Sequence, residues 1–201
     1  MAAIRIARTV SGRDKIVFFA GDYHGIIDEV LAKPALGNDQ PGAMPISPGV
    51  PQQMNVIVLD YGAQEALDTI KENTEEIAAV IVEPVQARHP DLQPREFLHS
   101  LRTITEEAEI ALVFDEVITG FRVAPGGAQE FFGVEADLAT YGKVIGGGMP
   151  IGALAGKAKY MDALDGGMWQ YGDDSYPEVG VTFFAGTLVS HPLAMASAKA
   201  L

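Results

Sequence analysis

The chain contains no cysteine, which excludes disulfides, thiolate nucleophiles and zinc held by sulfur. Basic residues are scarce: 14 Lys and Arg stand against 27 Asp and Glu, for a formal charge of -13. Long-range repulsion therefore disfavours nucleic acid and anionic membrane surfaces as partners. No apolar run approaches the ~20 residues needed to span a bilayer. No basic stretch followed by an apolar segment marks a secretory signal, so the default expectation is the cytoplasm. Internal repeats and low-complexity tracts are lacking as well.

What is present is ordinary in bulk and ordered in pattern. Apolar residues make up 48% and charged residues 20% of 201 positions, enough for one sizeable core. Apolar, β-branched runs alternate with amphipathic ones. The stretches at 15–21 (KIVFFAG), 77–84 (IAAVIVEP), 110–117 (IALVFDEV) and 136–142 (ADLATYG) read as strands. Those at 1–9, 63–76 and 94–109 read as helices. Strands that are apolar throughout and separated by helices predict an α/β fold whose parallel sheet is covered on both faces, with right-handed crossovers. The helix at 1–9 opens without a capping residue, which predicts a boundary inside a longer protein. Residues 33–54 hold five of the twelve prolines and no usable period, and read as a long surface loop. A second irregular stretch, 165–180, carries the single tryptophan, Trp169.

Ligands of such sheets collect beyond the carboxyl ends of the strands, and here those ends carry Asp60, Glu83, Asp115 and Glu116. A carboxylate at an apolar strand end needs a cation or hydrogen-bond donors, and either a functional partner or a helix to cap would serve. Lys143 stands before a glycine triplet in YGKVIGGGMPIGALAGK. The glycines either make a turn beside a solvated lysine or admit something bulky that the amine must reach. A nucleotide loop is rejected, because the lysine precedes the glycines and neither G-x-x-x-x-G-K-[ST] nor a strand-following G-x-G-x-x-G occurs.

Residues 113–156, VFDEVITGFRVAPGGAQEFFGVEADLATYGKVIGGGMPIGALAG, together with GDYHG (21–25), VIVEPV (80–85) and GTLVSHPLAMA (186–196), resemble the class III pyridoxal-phosphate-dependent aminotransferases. The branch around glutamate-1-semialdehyde aminomutase is the most similar. The resemblance implies the large cofactor-binding domain of fold-type I transferases and pyridoxal 5'-phosphate as cofactor. It implies that Lys143 is the lysine joined to the cofactor as a Schiff base and released as a proton carrier, and that Asp115 is the partner of the pyridinium nitrogen. Tyr23 matches the aromatic that stacks on the cofactor ring, and Glu83 lies at a strand end on the cofactor side. His24 either positions substrate or hydrogen-bonds its own loop. Thr187 matches a threonine that reaches a partner's cofactor phosphate, which implies a homodimer with a shared active site.

The family's phosphate-binding turn would precede residue 1 and its small C-terminal domain would follow residue 201, so 1–201 is expected to be a partial large domain that binds cofactor weakly in isolation. Arg88, in QARHPDLQPREFL, departs from the family pattern, and His191 stands where asparagine is common. That segment and 165–187 resemble aminotransferase domains of hybrid polyketide/nonribosomal peptide synthetases, the cyanobacterial microcystin type among them. This implies amination of a β-keto acyl thioester on a carrier domain, with an amino acid, glutamate, as donor. An aminomutase acting on a single substrate and a noncatalytic module that keeps the scaffold are the alternatives.

Overall fold

The computed structural model describes residues 1–35, 42–52 and 55–201. Its centre is a six-stranded sheet built from β1 (Lys15–Phe19), β4 (Val56–Leu59), β5 (Ile77–Val82), β6 (Ala111–Asp115), β7 (Leu138–Gly142) and β8 (Gly152–Gly156), in the order β4-β1-β5-β6-β7-β8. The first five run parallel. β8 is antiparallel to β7, with Leu138 opposite Gly156 and Gly142 opposite Gly152, so the sheet is mainly parallel, as expected, with one antiparallel edge. The reason is geometric. The connection from β7 to β8 spans residues 143–151 only, and one that short returns antiparallel because a parallel return needs a crossover of about a dozen or more residues.

The strands are apolar throughout because both faces are covered. On one face, Val17, Phe19, Val80, Leu112 and Phe114 pack against α2 (Gln64–Glu72), α3 (Arg95–Glu107) and α4 (Gly127–Phe132). On the other, Ile16, Phe18, Ile81 and Val113 meet α1 (Ala2–Ser11) and α5 (Ala158–Asp165). Neighbours in one strand thus serve opposite layers, as the two-residue period requires. In α3 the residues Phe97, Leu98, Leu101 and Ile104 form the buried stripe of a 3.6-residue helix.

Element bounds differ modestly from the expected ones. α2 ends at Glu72, before the asparagine of KENTEE, and β1 ends at Phe19, so that Ala20 and Gly21 already belong to a turn. The proline-rich stretch is more regular than expected. β2 (Ala32–Pro34) and β3 (Ala43–Pro45) pair antiparallel within it, with Lys33 opposite Met44. Residues 36–41 and 53–54 of that expected loop lie outside the described residues. Among the described residues, no helix is long and apolar enough to cross a membrane.

Candidate active site

The carboxyl ends of β1, β5, β6 and β7, four neighbouring strands, deliver their following residues to one side of the sheet. There Tyr23, His24, Glu83, Asp115 and Lys143 line a single cavity of about 380 Å³. Five of the six expected site residues are therefore brought together from positions 120 apart in the chain at the extremes, Tyr23 to Lys143. The sixth, Thr187, lies in an exposed turn and does not line this cavity. Asp60, at the end of β4, is exposed and outside the cavity too, as is Arg88. His191 sits at the amino end of α6 (Pro192–Ala200).

Asp115 ends β6 with its side chain 12% exposed. Its Oδ1 accepts the Val117 backbone N–H at 3.1 Å, and its Oδ2 lies 2.8 Å from His24 Nδ1. Glu116, one residue on, points the other way and is 1% exposed. It accepts the Thr119 hydroxyl at 2.6 Å and the N–H groups of Ala128 at 2.9 Å and Gln129 at 3.1 Å, so it caps α4. Of two adjacent strand-end carboxylates, one faces the cavity and the other anchors a helix.

Glu83 is buried, and burial pushes its carboxyl pKa up against the pull of two backbone donors. Those donors are the N–H groups of Tyr23 and of Ala87, the latter at 2.9 Å. Glu83 therefore fastens the loop after β1 to the loop after β5, which holds Tyr23 beside the cavity with its ring half exposed. Behind it, Tyr61 donates its hydroxyl to the Pro84 carbonyl at 2.9 Å and stands on Phe19 and Phe97.

The His24 side chain is buried in the cavity wall, 5% exposed. Nδ1 meets Asp115, and Nε2 lies 3.2 Å from Asp22 Oδ2 without the alignment of a full hydrogen bond. Burial by itself would lower its pKa, but the paired carboxylates outweigh that and raise it to about 9. The imidazole edge also packs on Phe18 with ring centroids 5.9 Å apart. Asp22 was not among the expected site residues, although its position two residues before a histidine, inside GDYHG, was the available signal.

Lys143 opens a short 3₁₀ turn, Lys143–Gly146, with φ of 47°. A left-handed non-glycine residue costs about 1–2 kcal/mol, a strain typical of residues whose side chain must be aimed. The glycines that follow have a packing role. Gly147 has φ of 55°, and a Cβ there would stand 2.7 Å from Ser197 Oγ of α6. Ser197 also donates to the Gly146 carbonyl at 2.8 Å. The bulky neighbour of the glycine run is thus helix α6, and β8 beyond it contributes Gly152, Ala153 and Leu154 to the cavity wall. The arrangement offers an amine, a carboxylate backed by a cation, and an exposed aromatic face around one cavity. Such a set can hold a flat cationic ring and move a proton beside it.

A family model described as aminotransferase class-III matches residues 1–201. Glutamate-1-semialdehyde 2,1-aminomutase of Methanococcus maripaludis (strain C5) is 47% identical over 188 residues, which cover 90% of this chain and 44% of that protein. An omega-transaminase from Sphaerobacter thermophilus has the same fold with a TM-score of 0.85 at 35% identity, over 98% of this chain and 44% of its own. A transaminase with PLP bound gives a TM-score of 0.83 at 31% identity, over 98% and 45% of the two chains. The chain therefore spans about 44% of the length of the curated relative it matches. With strand-end residues gathered around one cavity and a family match over its whole length, this chain belongs to the class III aminotransferases.

Proposed function

We propose that this chain is the cofactor-binding part of a pyridoxal-phosphate-dependent aminotransferase, which takes an amino group from an amino acid donor, glutamate, and delivers it to a keto group. The observation that carries this reading is the placement of Lys143, Asp115 and Tyr23 around one cavity of about 380 Å³. The donor set fits the cofactor. Asp115 would accept the N–H of a pyridinium ring, Tyr23 would cover a ring face, and Lys143 Nζ is the amine able to join an aldehyde. The amino end of α1 borders the same cavity, and a helix amino end favours an anion such as phosphate. When bound, the cofactor supplies an electron sink for the pair left behind when a substrate carbon loses its proton.

The residues of the chain supply the rest. Asp115 would supply a negative charge to the nitrogen of a bound ring and so favour its protonated form. Lys143 Nζ would carry one proton, as a general base toward the substrate carbon and then as a general acid. Glu83, through the Tyr23 N–H, keeps the aromatic over the cavity. A borohydride experiment on the full-length protein tests the assignment. Cofactor added to the wild type and then reduced should label a single peptide containing Lys143, and Lys143→Ala should take no label. Labelling of another lysine instead would overturn the assignment.

For the acceptor, the reading is a β-keto acyl thioester tethered to a carrier domain. It is supported by the segment around Trp169, which exposes Met168, Tyr171 and Tyr176, and by Phe184 after it, which borders the Lys143 cavity. A second reading, an aminomutase that returns the amine to its own substrate, is favoured by the 47% identity to a relative bearing that name. Supplying glutamate-1-semialdehyde in one arm, and glutamate with a carrier-bound β-keto acyl chain in the other, separates the two. A homodimer whose active site includes Thr187 of the partner copy completes the proposal.

A further inference from the structure

We infer that Asp22 is a positioning residue for Asp115, acting through His24 as the far end of a buried carboxylate–imidazolium–carboxylate chain. The inference rests on the reading of Asp115 as the ring-nitrogen partner and adds a residue to it. Asp22 follows β1 in the turn made by Gly21, whose φ is 94° and where a Cβ would stand 3.1 Å from Gln86 Oε1. Its side chain is 0% exposed. Gln86, itself 2% exposed, donates Nε2 to Asp22 Oδ1 at 2.6 Å and to the Ala20 carbonyl at 2.9 Å. The Glu83 backbone N–H donates to Asp22 Oδ2 at 3.2 Å.

Those donors satisfy the oxygens of Asp22 but do not account for its charge. An asparagine carbonyl would accept from Gln86 or from the Glu83 N–H equally well, without the several kcal/mol needed to desolvate a carboxylate. The group that calls for an anion is His24, whose Nε2 is 3.2 Å away. With a carboxylate on each side, the imidazole retains both protons, so Nδ1 always donates to Asp115 Oδ2. A neutral ring could carry its one proton on Nε2 and turn a lone pair toward Asp115. Asp22 removes that state. Two carboxylates and one imidazolium leave a single net negative charge, and the 12% exposure of the Asp115 side chain places it at the cavity end.

The other groups around His24 do not replace Asp22. Glu83 has both oxygens engaged by the Tyr23 and Ala87 N–H groups, and its buried carboxyl is raised toward the neutral form. Tyr61 donates to Pro84. Lys143 lines the same cavity as His24 and would oppose a cation, not support one.

Histidine ¹⁵N NMR on the cofactor-free protein tests this, with the His24 signal assigned by its loss in His24→Gln. Wild type should show both ring nitrogens protonated at neutral pH and titrate near 9. Asp22→Asn should lower the midpoint by at least about one pH unit, a tenfold loss of proton affinity, and Asp22→Glu should restore part of it. In cofactor-loaded protein, the pH dependence of the visible absorption should move the same way. A wild-type His24 titrating near its ordinary ~6.5 would overturn the inference even if the variants failed to fold, and so would an Asn variant with the wild-type midpoint. Loss of the borohydride label with His24 still shifted would sink the cofactor assignment alone.

Discussion

Asp115 and Glu116 are adjacent, yet strand alternation sends the first carboxylate to the cavity and the second to the amino end of α4. Their variants should therefore fail differently. Asp115→Ala is expected to lower transamination by ~10²-fold or more, the scale of losing one preorganised electrostatic group, with little change in the folded circular dichroism signal. Turnover near the wild-type rate would contradict the role. His24 provides a stability prediction with a definite sign. Its folded pKa of about 9 lies above the ~6.5 of an unfolded histidine, so its ion pairs contribute fully below ~6.5. That contribution is lost as pH rises through about 9. Urea midpoints measured from pH 6 to 10 should fall across this window in wild type, and the fall should be shallower in His24→Gln.

At the scale of elements, the capping carboxylate is the simplest case. Glu116→Ala removes an accepted hydroxyl and two accepted helix N–H groups from a buried position, and should cost about 1–3 kcal/mol in denaturant unfolding. Leu101→Ala, in the fully buried stripe of α3, should cost about 2–5 kcal/mol. The parallel strands β1, β5 and β6 were legible as apolar runs between amphipathic stretches, and β7 as a shorter run before the glycine triplet, while β4 was marked only by Asp60 at its end. The edge strand β8 was not legible. GALAG has no β-branched residue and all five positions are at least partly exposed, so neither period nor propensity marks it. The same limit applied to the β2–β3 hairpin, where prolines at Pro34 and Pro45 conceal two three-residue strands.

On the scale of the molecule, the described surface is uneven. The segment from Met168 to Leu201 exposes large apolar side chains, with Met168 at 90%, Tyr171 at 97% and Phe183 at 76% exposed. Patches of this kind mark interaction surfaces more often than solvent faces. Thr187 lies within that segment and away from the Lys143 cavity of its own chain. If the partner's cavity receives it, mixing Lys143→Ala with Thr187→Ala subunits reconstitutes one intact site per mixed dimer. Activity should then recover on mixing, and two inactive parents that stay inactive together would contradict a shared site.

The sequence by itself determined the layers of the fold, because runs of period two and stripes of period 3.6 depend only on which side chains must leave water. It also singled out Lys143 and Asp115 as candidates, an amine before a glycine run and a carboxylate ending an apolar strand, to which only the family resemblance gave roles. Only the tertiary structure decided which strand-end acids act together. Strand order places β5 beside β6 and β1 next to β5, and that proximity joins Asp22 and His24, after β1, to a carboxylate some 90 positions away while Asp60 and Glu116 stay outside the cavity. Hydrogen bonds and ion pairs act over a few ångströms, and distances of that kind between remote residues exist only once the sheet has formed.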